Sequence, residues 1–129
     1  MLLIDVELNS ATNPSMGLGV FTKQFISSGS LIWEFTQGID IKLSVDDFEK
    51  LNKAQKKFFD KYGWYQNKYY YSSCDLSNFI NHSNSPNLAC KEMYIYAMQD
   101  INIDEELFCN YKEFDENFYI YEHTLIPTL

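Results

Sequence analysis

At 129 residues the chain has the size of one ordinary domain, and 46% hydrophobic residues with 17% aromatics supply enough apolar surface for a core. Ten Lys, no Arg and eighteen Asp plus Glu leave a formal charge of −8, which repels a phosphate backbone and argues against nucleic acid as a partner. No apolar run approaches the roughly 18–20 residues of a membrane span, and the opening Met-Leu-Leu-Ile-Asp-Val-Glu carries acids where a secretory signal carries Lys or Arg. The expectation is one soluble, cytoplasmic domain over residues 1–129 with no membrane partner; the nucleus stays open for a eukaryotic chain or one delivered to a host.

In chain order, Leu2 to Leu8 reads as a strand, closed by a polar turn from Asn9 to Ser15 that contains Pro14. Leu18 to Thr22 and Leu31 to Phe35 are two further short strands, separated by Ser27-Ser28-Gly29. The spacing of Val45, Phe48, Leu51, Ala54, Phe58 and Tyr62 predicts one helix with a core-facing stripe. It starts at Ser44, with Asp47 in capping-box position, and stops at Gly63. Lys68 to Ser72 returns to strand, Ser77 to Asn87 is too polar for a buried element, and Leu88 to Met98 gives one or two strands. Asp100 to Glu105 is an acidic turn, Leu107 to Tyr111 a strand, and Glu113 to Glu122 a short helix. Many short strands with few short helices make the fold mainly β, with non-local pairing.

Charge is unevenly distributed. Residues 1–91 hold nine Lys and nine acids, whereas residues 92–129 hold Lys112 and nine acids. That excess is either a solvated face or a surface that attracts a basic peptide or a cationic ligand. The three cysteines, Cys74, Cys90 and Cys109, include no C-x-x-C pair, and the two His lie far apart, so neither a disulfide framework nor a metal site is expected.

Three segments carry chemistry. Met16-Gly17-Leu18-Gly19-Val20-Phe21 places two glycines before a strand, without the third glycine and helix of a dinucleotide fingerprint; it is a tight turn or a backbone that a ligand approaches closely. Asn81-His82-Ser83-Asn84-Ser85-Pro86-Asn87 follows the apolar Phe79-Ile80, and Glu105-Glu106-Leu107-Phe108-Cys109-Asn110-Tyr111 ends a strand on a tyrosine. A thiol hydrolase built on Cys74 or Cys90 with His82 needs an activated cysteine, which the local sequence does not mark.

In this order the segments resemble the motifs of the SET-domain protein lysine methyltransferases. Gly17 to Phe21 is similar to G-x-G-V-F, Asn78 to Asn87 to R-F-I-N-H-S-C-x-P-N, and Glu106 to Tyr111 to E-L-x-F-D-Y; the resemblance covers roughly residues 12–112. Asn78 stands for the family's Arg, Asn84 for Cys and Asn110 for Asp, Glu34 to Gly38 only loosely matches E-Y-x-G, and no C-x-C follows Tyr111. The size is similar to that of minimal SET proteins without zinc-bearing flanks.

The resemblance implies a β-clip, knot-like SET fold, S-adenosylmethionine as methyl donor and a lysine of a protein, expected to be basic, as acceptor. It assigns Gly17, Leu18, Gly19, Asn81 and His82 to the cofactor, Tyr111 to catalysis and cofactor contact, and Cys109 to the substrate channel. An aromatic of the tail, Phe114, Phe118 or Tyr119, is expected to cover the adenine, with Phe118 chosen. A small thiol at Cys109 leaves room for di- or trimethylation, and dimerisation stays open. Removing the proton of a free lysine, pKa near 10.4, costs about 4–5 kcal/mol at pH 7. A sulfonium about 4 Å away repels the ammonium by roughly 4 kcal/mol at an effective dielectric near 20, so cofactor charge can replace a general base. The competing expectation is a SET-like module that binds cofactor and peptide but has lost catalysis.

Overall fold

The computed structural model describes residues 1–118. Within them the mainly β expectation holds: short strands form four small sheets, and two helices flank one of them. β1 (Val6–Ser10) runs antiparallel to β2 (Leu18–Thr22), with Ser10 opposite Leu18 and Val6 opposite Thr22. Between them, Asn13 caps a 3-10 turn at Pro14–Met16, and Gly17 closes it at φ 74°, a left-handed conformation that favours glycine.

β3 (Leu31–Glu34), β8 (Leu88–Lys91) and β9 (Tyr94–Ala97) form a second sheet with β9 in the middle. β4 (Ile41–Ser44), β5 (Trp64–Gln66) and β6 (Tyr69–Ser72) form a third around β6. β7 (Asn81–His82) pairs in parallel with β10 (Phe108–Cys109), a contact that needs a long crossover. Val20, Ile32, Leu88, Ile101 and Leu107, all with no exposure, share one apolar cluster, so the core lies where β2, β3, β8 and the segment before β10 converge. Each such side chain contributes roughly 1.5–3 kcal/mol by leaving water.

The expected strand Leu18–Thr22 is present with its bounds unchanged. β1 begins later than expected, and Leu2 instead makes an isolated bridge to Trp33. The single helix is two, α1 (Val45–Glu49) and α2 (Lys53–Tyr62). Ser44 does cap the first, its hydroxyl accepting the Asp47 N–H at 3.1 Å. The full capping box belongs to the second: the Asn52 and Gln55 side chains each accept the other's backbone N–H at 2.9 Å. Apolar spacing runs across that break because Phe48 and Phe59 both face inward at 7% and 8% exposure, so periodicity did not register it. Val45 and Phe58, expected in the core stripe, are exposed at 38% and 40%.

β5, three residues long, is too short for alternation to reveal, whereas β4 alternates as Ile-Lys-Leu-Ser and is missing from the expected elements. The turn from β5 to β6, Asn67-Lys68, has φ of 50° and 69°, the pattern of a type I′ hairpin, so Lys68 belongs to the turn and not to the strand. Near the C-terminal end, a 3-10 turn at Tyr111–Glu113 stands where the expected helix begins, and residues 119–122 of that expectation lie outside the described residues.

Candidate active site

The segment before β10 threads between two elements far from it in sequence. Leu107 N–H donates to the Val20 carbonyl at 2.8 Å on the β2 side, while Phe108 and Cys109 pair with Asn81 and His82 of β7 on the other. Asn87, 8% exposed, pins the passage: its amide donates to the Glu106 carbonyl at 2.8 Å and its Oδ1 accepts the Phe108 N–H at 2.9 Å. An asparagine suits this because one side chain offers a donor and an acceptor, as a neighbouring strand would. The three motifs thereby meet.

Glu106 ties the glycine pair to Asn81. Its buried carboxylate accepts the Thr12 N–H at 2.7 Å on Oε1 and the Asn81 amide at 3.1 Å on Oε2, and Asn81 also donates to the Leu18 carbonyl at 2.9 Å. Gly19 lies against that carboxylate so closely that a Cβ there would stand 2.5 Å from Oε2. Gly17, by contrast, is exposed, and a Cβ built on it meets no atom within 4 Å. The first glycine answers a backbone conformation, the second a close approach.

His82 and Tyr111 form the other half of the site. Tyr111 N–H donates to His82 Nδ1 at 3.1 Å, so the hydrogen of the neutral imidazole sits on Nε2, which faces Asn84 Oδ1 at 3.0 Å. The Tyr111 hydroxyl donates to the Ile80 carbonyl. Phe118 packs on both, with ring centroids 4.7 Å from His82 and 5.6 Å from Tyr111, and Phe114 lies 5.6 Å from Tyr111. Burial, then the nearby Cys109, Cys90 and Asp115, push the Tyr111 phenol well above its ordinary range, so it stays protonated.

A cavity of about 260 Å³ opens beside this tyrosine. Aromatic rings of Trp33, Tyr62, Trp64, Tyr94 and Phe114 form much of its wall, and Ile80, Cys90 and Cys109 line it near Tyr111. Asp60, Glu92 and Asp115 give it acidic groups against one Lys61. Asp115 is raised above the usual carboxylate range by burial, although the N–H groups of Tyr65 and Asn117 on its Oδ1 pull the other way.

The structure thus brings Gly17, Leu18, Gly19, Asn81, His82, Cys109, Tyr111 and Phe118 to one region, with Cys109 and Tyr111 on the cavity wall. Asn81 and His82 spend polar atoms on other parts of the site, orienting it. The family departures have local partners: Asn78 donates to the Ser73 carbonyl at 2.9 Å, Asn84 meets His82, and Asn110 accepts the Lys112 N–H at 3.1 Å as a cap. Tyr119, the third candidate for adenine cover, lies outside the described residues. Cys74, one thiol weighed as a nucleophile, donates to the Ile39 carbonyl at 3.0 Å and is pushed up by local desolvation and Asp40, while Cys90 faces Cys109. Sequence reasoning missed the roles of Glu106, Asn87 and Cys90; Glu106 and Asn87 stood inside the quoted motifs, but their partners lie on other elements.

A SET domain family model matches residues 17–112. A variant-silencing SET domain-containing protein of Plasmodium falciparum (isolate 3D7) is 34% identical over 113 residues, which is 74% of this chain and 4% of that protein. The crystal structure of the Chaetomium thermophilum polycomb repressive complex 2 superposes with TM-score 0.67 at 25% identity, over 84% of this chain and 15% of that one. The same complex in an autoinhibited conformation bound to S-adenosylmethionine gives TM-score 0.67 at 22% identity, over 93% of this chain and 17% of that one. The chain therefore spans a small part of the length of each of these proteins.

Proposed function

The chain belongs to the SET-domain family, and we propose that it is a protein-lysine N-methyltransferase, taking a methyl group from S-adenosylmethionine to the ε-amine of a lysine in a basic protein or peptide. The observation that carries this reading is Tyr111: its N–H is held by His82 and its hydroxyl by the Ile80 carbonyl, at the wall of an aromatic cavity, while Asn81, next to His82, donates to the Leu18 carbonyl of the glycine segment. The residues present fit the cofactor. The open face at Gly17 admits a ligand to the main chain, and Phe118 packs beside His82 at the wall of the cavity.

When bound, S-adenosylmethionine supplies an activated methyl group on a positively charged sulfur. Gly17, Leu18, Asn81, His82 and Phe118 would hold it. Tyr111, protonated and fixed by two hydrogen bonds, orients the incoming amine through its oxygen lone pairs and takes no proton. The aromatic walls exclude water from the lysine side chain and favour a cation by ring quadrupole. Asp60, Glu92 and Asp115 attract a basic segment. Cys109 leaves space for more than one methyl, and dimerisation is not required by any step.

The test is incubation with radiolabelled S-adenosylmethionine and a Lys-rich peptide, followed by peptide mass analysis, with calorimetry of cofactor binding alongside. Labelled methyl-lysine supports the reading. Cofactor binding without transfer would make the protein a catalytically impaired binding module.

A further inference from the structure

Cys90 on β8 and Cys109 on β10 place their sulfurs 3.4 Å apart. Both are buried, at 7% and 2% exposure, and both line the cavity that contains Tyr111. The methyl-transfer reading uses Cys109 only as wall and Cys90 not at all. A protein S–S bond is about 2.05 Å long, so the sulfurs must approach by a further ~1.3 Å, and β8 and β10 run in contact with each other. We propose that Cys90 and Cys109 are an oxidisable dithiol, a modification site that a small two-electron oxidant of the hydroperoxide class converts to a disulfide across the wall of the cavity.

The chemistry balances in two steps. Cys90, the less enclosed sulfur, attacks the peroxide oxygen: an S–O bond forms, the O–O bond breaks, and the leaving oxygen departs as water or alcohol with the thiol's proton. Cys109 then attacks the Cys90 sulfur: the S–S bond forms, the S–O bond breaks, and water leaves with the second proton. The two sulfurs lose the two electrons that the peroxide gains. Attack by Cys109 requires its thiolate, and its hydrogen bond with Cys90 and its burial push its pKa well up, so closure of the disulfide is slow and rests on how near the two sulfurs lie.

Cys109 lies two residues before Tyr111, so a cross-link from β8 to β10 alters the wall beside the tyrosine. An effect on transfer rests on the methyltransferase reading; formation of the disulfide does not. The experiment treats the Cys74→Ser protein, which lacks the exposed third thiol, with hydrogen peroxide, then denatures and alkylates it for intact and peptide mass spectrometry. Loss of two hydrogens, a linked peptide joining positions 90 and 109, no alkylation and recovery with dithiothreitol are expected. Cys90→Ala in the same background should show none of these. Two alkylated thiols, or sulfinic acid in place of the link, would overturn the proposal. In the labelled assay the oxidised protein should lose about tenfold in transfer, regained on reduction, as small misplacements near a reacting group do; an unchanged rate would overturn the coupling to the channel. If the reduced protein transfers nothing, the methyltransferase reading fails while the mass result still decides the dithiol.

Discussion

The backbone N–H of Tyr111 donates to Nδ1 of His82 at 3.1 Å, fixing both the tautomer of the imidazole and the entry of the chain into the tyrosine's turn. His82→Ala removes the acceptor. Asn can place an amide oxygen near the position of Nδ1, so His82→Asn keeps it. The alanine variant should lose about tenfold more turnover than the asparagine variant, on the scale expected for a misaligned reacting group. Equal losses in the labelled transfer assay would show that the bond to Tyr111 is not what His82 provides.

Tyr111→Phe deletes the hydroxyl bound to the Ile80 carbonyl and leaves the ring among Phe114, Phe118 and His82. Turnover should fall about a hundredfold or more, the scale of losing a preorganised polar group at a reacting centre, while cofactor affinity stays within a few-fold. Calorimetry and steady-state rates on the same preparation check both halves. Full retained activity removes Tyr111 from its role.

Gly19 and Gly17 should respond differently to alanine. At Gly19 the new Cβ meets the Glu106 carboxylate at 2.5 Å, and that carboxylate cannot swing away without losing Thr12 and Asn81. A cost of about 2–3 kcal/mol in urea unfolding is expected, as for overpacking in a core, together with weaker cofactor binding. Gly17→Ala meets nothing and bears only the strain of φ 74° with ψ −98°, about 1–3 kcal/mol, and should leave the Glu106 contacts intact.

Asp75 sets an acid limit on stability. Burial alone would raise its pKa, but the Ser77 hydroxyl, the N–H groups of Leu2 and Ser77 and the Ser73 hydroxyl outweigh it, and the net shift is downward. A carboxylate lowered in the folded state stabilises fully above its unfolded pKa, about 3.9, and loses that contribution as pH falls through its folded value. Asp75→Asn should cost about 1–2 kcal/mol at pH 7, less than the roughly 1.5–3 of a buried hydrogen bond to a charge because solvent reaches this carboxylate. The difference from the parent protein should vanish in strong acid, as read by denaturant midpoints across pH.

Transfer to a Lys-rich peptide should weaken as salt is added, because the acidic groups Asp60, Glu92 and Asp115 at the cavity act through solvent that salt screens over about 10 Å at 0.1 M. The loss should appear in KM more than in kcat. Salt-independent kinetics would reject electrostatic steering.

The mainly β character, the bounds of β2, the cap at Ser44 and the three motifs whose order marks the family were all legible in the order of residues. These are local properties: alternation, capping chemistry and residue types clustered within a few positions of one another. Folding alone reveals that Asn81 reaches Leu18 across 63 residues of chain, that Glu106 lies under Gly19, and that two thiols face each other beside Tyr111. The helix break at Asn52 is of the same kind, since both halves point an aromatic inward and the apolar spacing runs on regardless. A pattern along one strand or helix reports that a face is buried and not what buries it; the partner is chosen by how the chain crosses itself, and here that crossing makes the site.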